Sequence, residues 1–325
     1  MRQDVEPRCW LVCHVGGMPI RPRAARPEPP SLPAVFFAQH HPRWVAARRV
    51  RDGTWVRLGR GVYGPSDLGP EQQALAHLVA VHHRTAGLHW FSHQSAALLF
   101  GLPLREVAAH VHLRQPGRPS TNRDMSVVRH FSPVDPAEQA TVSGLPVTSM
   151  ALTTADCLRA LPPLDALIVA DGALRAGADP VRIDSFLAAG RGSVPGRAVA
   201  SLADPGAESV AETTARFHLL AAGLPVPQTQ VLVHTNHGVY WGDLGYTQWK
   251  VLIEYDGQDK YTDTNAFLRE RERQDAIEAQ GWRIVRLTYK DLRHPARLVR
   301  RVSDALPPGI ALSPRPHLGS HSLSA

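Results

Sequence analysis

Apolar residues recur along this chain at two spacings, and the change from one to the other marks out its elements. From residue 71 to 187 the helical spacing prevails, predicting helices over 71–86, 92–100 with Ser92 as cap, 149–160 and 164–176. Two short strands fit "VAAHVHLR" and "MSVVRHF", on either side of the loop "QPGRPSTNRD". In the last hundred residues an amphipathic helix, "SVAETTARFHLLAAG", stops at Gly223, and three stretches of alternating or β-branched residues follow at 228–235, 238–246 and 250–256. A helix over 263–280, a strand "RIVRLTY" at 283–289 and a helix over 294–305 complete the order α, β, β, β, α, β, α.

Where the periodicity lapses, Pro, Gly and Ser take over. Residues 1–32, with "PIRPRAARPEPPSLP", and residues 307–325 read as unpacked tails. The stretch "AAGRGSVPGRAVASLADPGAES" predicts a linker over 191–207 between two differently patterned halves. Residues 33–66 read as a short apolar helix, a Pro42-started helix and strands at 54–58 and 61–63, a winged-helix-like segment. Residues 67–190 then form a mixed α/β middle domain and 208–306 a C-terminal α/β domain, so the fold class expected is a multidomain α+β and α/β protein.

Length and composition support more than one core: 325 residues with 43% apolar content. A net charge of +7 agrees with an acidic partner such as nucleic acid without requiring one. Its distribution says more. Arg43, Arg48, Arg49, Arg51, Arg57 and Arg60 stand against Asp52 alone, and Arg48, Arg49, Arg57 and Arg60 are candidate contacts to a phosphate backbone. The same arginines also fit a solvated helix face. Trp44 and Trp55 read as core or wing-packing residues.

Three cysteines, Cys9, Cys13 and Cys157, make no closed disulfide framework and point to a reducing, cytoplasmic setting. No apolar run has the length of a membrane span or a signal-peptide core, so neither insertion nor secretion is expected. Cys9, Cys13 and His14 lack the second ligand pair of a zinc site, and His82, His83, His89 and His93 match no metal template, so they read as satisfied or exposed histidines. Phosphate-loop, dinucleotide and nucleophile-elbow motifs are absent from the sequence.

The chemistry concentrates in "WGDLGYTQWKVLIEYDGQDKY". If the second and third strands form a hairpin centred on Gln248 and Trp249, Asp243 faces Glu254 across the ladder, and Asp256 projects from the same face as Glu254. Like charges this close repel unless a cation lies between them, and oxygen ligands suit Mg²⁺ or Mn²⁺. Such an ion activates water and offsets charge on a phosphodiester oxygen, with Lys260 placed to assist. The same spacing also fits a strand face with ion pairs among Asp256, Lys260 and neighbouring arginines. Asp259 and Asp263 read as loop and cap residues, and Arg269, Arg271 and Arg273 as a salt-bridged helix face from which one arginine could reach a phosphate.

The motifs "SVAE", "GLPVPQTQV", "GDLGY", "VLIEYDGQDKY" and "GWRIVRLTYKDL" resemble the very-short-patch-repair (Vsr-like) endonuclease domains of the PD-(D/E)XK superfamily, over about residues 205–305. The resemblance implies a restriction-endonuclease-like αβββαβ core with Glu212, Asp243 and Glu254 as active-site acids, Asp243 and Glu254 holding Mg²⁺ or Mn²⁺. The superfamily's lysine place, two residues beyond the third-strand acid, here holds Asp256, and Lys260 stands where the repair-type branch commonly has a histidine. In the first half, "WVRLGRGVYGP", "FSHQSAALLFGLPL" and "GLPVTSMALTTADCL" resemble the abortive-infection type IV antitoxin (AbiEi-like) family over about residues 34–175. That resemblance implies a winged helix followed by a second domain, repression of the protein's own promoter, and a toxin partner of nucleotidyltransferase type. Two function classes follow: a metal-dependent DNA endonuclease, or a DNA-binding regulator or antitoxin without cleavage activity.

Overall fold

The computed structural model describes residues 26–117, 125–256 and 264–319, with backbone alone at 14–15, 18–19 and 264–267. It is a mixed α/β structure that divides into two compact units, one running from Pro27 to Phe217 and joined by the segment from Arg315, the other from His218 to Pro314. The two-residue strands β1 (His14–Val15) and β2 (Met18–Pro19) pair within the segment expected to be a tail.

The first unit begins with a three-stranded sheet in the order β3 (Phe36–Phe37), β5 (Val62–Pro65), β4 (Trp55–Gly59). Phe36–Phe37 was expected to be helical. It pairs instead with Val62 and Tyr63, and Phe36 stacks on Trp55 at 4.4 Å with the rings 6° from parallel. Aromatic residues with a flat neighbour to cover favour the extended form. A single 3-10 turn, Ala38–His40, and one α-helix, α1 (Arg43–Arg51), therefore precede the hairpin, and α2 (Pro70–Arg84) follows it.

A five-stranded sheet comes next, in the order β8 (Val127–Phe131), β7 (Val111–Gln115), β6 (Trp90–Phe91), β10 (Leu145–Thr148), β9 (Gln139–Val142). Strands β7 and β8, both legible in the sequence, are parallel neighbours. Leu75, Leu78, Phe91, Leu99, Leu113 and Val147 form its core, contributed by α2, α3 (His93–Leu99) and the sheet. Helices α4 (Met150–Ala160) and α5 (Pro163–Ala176) match the expected spans within a residue, and α6 (Pro180–Phe186) follows.

The segment expected to be a linker carries α7 (Ser193–Ala200), with Val199 buried. The division between units falls inside α8 (Val210–Ala221), after Phe217. An ion pair explains the shift. Arg216 donates to both oxygens of Asp171 on α5, at 2.8 and 2.7 Å, with each side chain 1% exposed, and Thr213 donates to the same carboxylate. The first turns of α8 are therefore fastened to the helical unit. The expected C-terminal tail also packs in part: Leu318, in the single turn Pro316–Leu318, is buried.

The second unit is a four-stranded sheet in the order β11 (Gln228–Thr235), β12 (Gly238–Tyr246), β13 (Val251–Tyr255), β14 (Arg283–Leu287). The first three strands run as an antiparallel meander, and β13 pairs with β14 in parallel through the crossover helix α9 (Thr264–Glu278). Val231, Val233, Leu252 and Ile277 make its core. Helices α10 (Tyr289–Leu292) and α11 (Pro295–Ser303) close it.

Candidate functional site

The hairpin register that brings two acids together is set at the turn. Leu244 pairs with Ile253, Gly245 with Leu252 and Tyr246 with Val251, and Lys250 takes the left-handed conformation at φ 51° to close the connection. Continued by one residue, that register sets Asp243 opposite Glu254, as the sequence predicted. Asp243 Oδ2 accepts a hydrogen bond from the Tyr255 amide at 2.9 Å.

Glu254 is mostly buried and is paired with an arginine. Arg273 on α9 forks onto it, Nη1 to Oε1 at 3.0 Å and Nη2 to Oε2 at 2.8 Å. Arg273 also donates to both oxygens of Glu270 at 2.9 Å, and Arg286, the β14 residue paired with Glu254, donates to Glu270 Oε1 at 2.6 Å. Burial alone would lower the Arg273 pKa, but the hydrogen bonds to Glu270 and Glu254 outweigh it and the net shift is upward. Of the helix face read as salt-bridged, one arginine thus reaches the acids themselves.

The other predicted acids are placed differently. Glu212 belongs by its contacts to the first unit. Its Oε1 accepts from Ser209 Oγ at 2.8 Å and its Oε2 from the Glu208 amide at 2.9 Å, while its own amide donates to Ser209 Oγ, so it works as the acid of a helix-start capping motif. Asp256 is half-buried at the end of β13, its amide donating to the Leu287 carbonyl at 2.8 Å. Lys260, Asp259 and Asp263 lie outside the described residues. Mg²⁺ or Mn²⁺ would fit the oxygen donors of Asp243 and Glu254 once Arg273 withdraws from Glu254.

In the basic segment, Arg43, Arg48, Arg49 and Arg51 on α1 and Arg57 and Arg60 beyond it are all exposed. Arg48 pairs with Asp52 at 3.5 Å. Trp55 packs, as expected, against Phe36, but Trp44 is 62% exposed on the helix that carries Arg43, Arg48, Arg49 and Arg51.

A second cluster was not anticipated. On β7, His112 and Arg114 alternate with the buried Val111 and Leu113 and so share a face, and His130 on the parallel β8 is the partner of Arg114. His93 opens α3 directly after β6 at φ 52°, a left-handed conformation that costs an ordinary residue roughly 1–3 kcal/mol. It stacks on His130 at 4.0 Å between ring centroids, and His112 Nδ1 lies 3.1 Å from His130 Nε2. Potential ligand atoms of His93, His112 and His130 all fall within 4.8 Å of one another.

Behind the three rings lies Asp156 of α4, 2% exposed. Arg114 forks onto it, with Nε to Oδ2 at 3.0 Å, and its Nη1 donates to Ser132 Oγ at 3.3 Å. His93 Nδ1 lies 3.0 Å from Ser92 Oγ and 3.7 Å from Asp156 Oδ2. Arg159 stands 3.8 Å from Asp156 and hydrogen-bonds the carbonyls of Phe186 and Ala189. Burial, followed by His130, His112 and the two arginines, lowers the His93 pKa to about 2; burial and then His130 and His110 lower His112 to about 4; burial and Arg114 lower His130. All three rings are neutral at pH 7. Burial pushes the Asp156 carboxyl up, against the pull of Arg114 and Arg159.

The four histidines that stood out in the sequence separate. His82 Nδ1 pairs with His89 Nε2 at 2.9 Å, while His93 joins the residues from β7 and β8. The available signal was in the strands themselves, each carrying a histidine in mid-strand, together with an aspartate inside the apolar helix "ALTTADCL".

No family model matches the chain. It is similar to two proteins of Mycobacterium tuberculosis, Uncharacterized protein Rv2248 of strain ATCC 25618 / H37Rv and Uncharacterized protein MT2308 of strain CDC 1551 / Oshkosh. Each is 29% identical over 264 residues, covering 78% of this chain and 93% of the relative. Among the described residues no helix is long and apolar enough to cross a membrane.

Proposed function

We propose that this protein binds DNA as a regulator and that its C-terminal unit keeps the frame of a PD-(D/E)XK nuclease without its cleavage chemistry. The observation that carries this reading is the fork of Arg273 on Glu254, 3.0 and 2.8 Å, which fills the place of a cation with a guanidinium. A guanidinium cancels the repulsion between Asp243 and Glu254, but unlike a metal it binds no water to activate. Glu212, the third acid implied by the resemblance, is engaged at a helix start, and the lysine place holds Asp256. Metal ligand and third acid are thus each engaged elsewhere, and the usual lysine place holds an acid.

The DNA contact belongs to α1 and the hairpin after it, where exposed arginines meet phosphates as point contacts and the exposed Trp44 offers a flat apolar surface beside them. Under the antitoxin-like form of this reading the first unit also meets a toxin of nucleotidyltransferase type. Mobility-shift assays at two salt concentrations, run beside plasmid nicking with Mg²⁺ and Mn²⁺, test it. Retention that weakens with salt, without metal-dependent nicking, is the expected result. Failure to retain any duplex at low salt would overturn it.

A second reading is favoured by the register of β12 and β13: a metal-dependent endonuclease in which Asp243 and Glu254 hold the ion after Arg273 withdraws. The ion would supply Lewis-acid stabilisation of the phosphodiester oxygen and a lowered water pKa. Nicking in Mg²⁺ that Asp243→Ala abolishes would establish it in place of the first.

A further inference from the structure

We propose that His93, His112 and His130 bind one transition-metal ion of the Zn²⁺ class in the first unit, a site unrelated to the carboxylate pair. Two donors are already spaced as neighbours around such an ion. His112 Nδ1 and His130 Nε2 share a hydrogen bond at 3.1 Å, close to the ~3.3 Å edge of a tetrahedron with metal–nitrogen bonds of about 2.0–2.1 Å, so an ion that displaces the shared proton finds both nitrogens near ligand spacing. His93 lies within the same 4.8 Å, so a small ring movement completes a three-nitrogen face.

The surroundings match what a metal-binding histidine requires. His93 has Ser92 Oγ at 3.0 Å and Asp156 at 3.7 Å on its Nδ1 side, the outer partners that orient a ligating imidazole through its other nitrogen. Its left-handed backbone aims the ring at β8 at a conformational cost that an ordinary helix start would not carry. Asp156 faces both Arg114 and Arg159 and offsets part of their charge, which reduces the repulsion that a dication would meet. Neutral nitrogen donors select Zn²⁺, Co²⁺, Ni²⁺ or Cu²⁺ over the oxygen-seeking Mg²⁺. Three neutral ligands leave the charge of the ion uncompensated, and the fourth position falls to water or an anion.

The test uses the full-length chain stripped with a chelator and titrated with Co²⁺, whose visible absorption reports coordination. One equivalent with a four-coordinate spectrum is expected in wild type. His112→Gln and His130→Gln should each weaken it by at least about tenfold, while His82→Gln, in the other histidine pair, should leave it unchanged. No stoichiometric binding, or equal affinity in both cluster variants, would overturn the proposal. Should the variants fail to fold by circular dichroism, X-ray absorption of Zn²⁺-loaded wild type decides: three imidazoles are expected, and sulfur in the shell or fewer than three imidazoles refutes the site.

Discussion

Glu254 and Asp156 are both mostly buried carboxylates gripped by an arginine fork, one in each unit, yet the two forks lead to opposite chemistry. In the C-terminal unit the carboxylate is the metal ligand only under the endonuclease reading, and there the arginine that forks onto it stands where the ion would bind. In the first unit the carboxylate stands behind three histidines, and the arginine it holds is directed at Asp156 and Ser132. Charged ligands recruit a protein cation when buried together. The neutral rings instead hydrogen-bond one another and Ser92.

The largest effect is expected at the most deeply buried arginine–carboxylate pair. Arg216 and Asp171 are each 1% exposed, so Arg216→Ala leaves an unpaired carboxylate in the interior, and urea unfolding should report a loss of about 3–5 kcal/mol. A loss below about 1 kcal/mol would mean that water reaches the pair. The fork on Glu254 is more open, Arg273 being 21% and Glu254 11% exposed in their side chains, so Arg273→Ala should cost less, about 1–3 kcal/mol. Mn²⁺ should restore part of that stability in the variant, because it replaces the lost cation between the acids. No rescue by Mn²⁺ would show that Asp243 and Glu254 are not arranged to share an ion.

The histidine cluster sharpens the contrast through pH. His112 and His93 have folded-state pKa values lowered to about 4 and about 2, below the ordinary 6.5 of the unfolded chain. Their contribution is therefore complete above pH ~6.5 and drains as pH falls towards those folded values, since the unfolded chain takes up protons that the native rings refuse. Denaturant midpoints of the metal-free protein should fall between pH 7 and pH 4, less steeply in His112→Gln. A wild-type midpoint that is flat over this range would contradict the neutral cluster. The smallest effect is expected on the surface, where Arg48→Glu with Arg49→Glu should weaken duplex binding uniformly across sequences and reduce its salt slope by about two.

What the sequence disclosed divides along the same line. The strands at 228–235 and 238–246 end where alternation says they should, and a hairpin register needs only those strands and the turn, so Asp243 opposite Glu254 was legible. Arg273 comes from the crossover helix, and only its packing over β13 decides which of the charged residues on that helix reaches the acids. The histidine cluster was hidden by a further step. His112 and His130 lay in strands that were read correctly, but their meeting depends on parallel pairing of β7 with β8, and His93 depends on a strained residue after the two-residue strand β6. Parallel neighbours leave no turn in the sequence to fix their register. At 33–37 aromatic content favoured a strand where a short apolar run had suggested a helix, and in the expected linker the burial of Val199 on α7 outweighed the Gly and Ser residues.

The most direct test is a Mn²⁺ titration of the full-length protein followed by electron paramagnetic resonance, with Asp243→Ala beside it. Because Arg273 already occupies Glu254, wild type and variant should bind Mn²⁺ alike, with no stoichiometric site that depends on the carboxylate pair. One tight equivalent in wild type, lost in Asp243→Ala, would mean that the arginine yields to the metal and that the carboxylate pair is a working cation site.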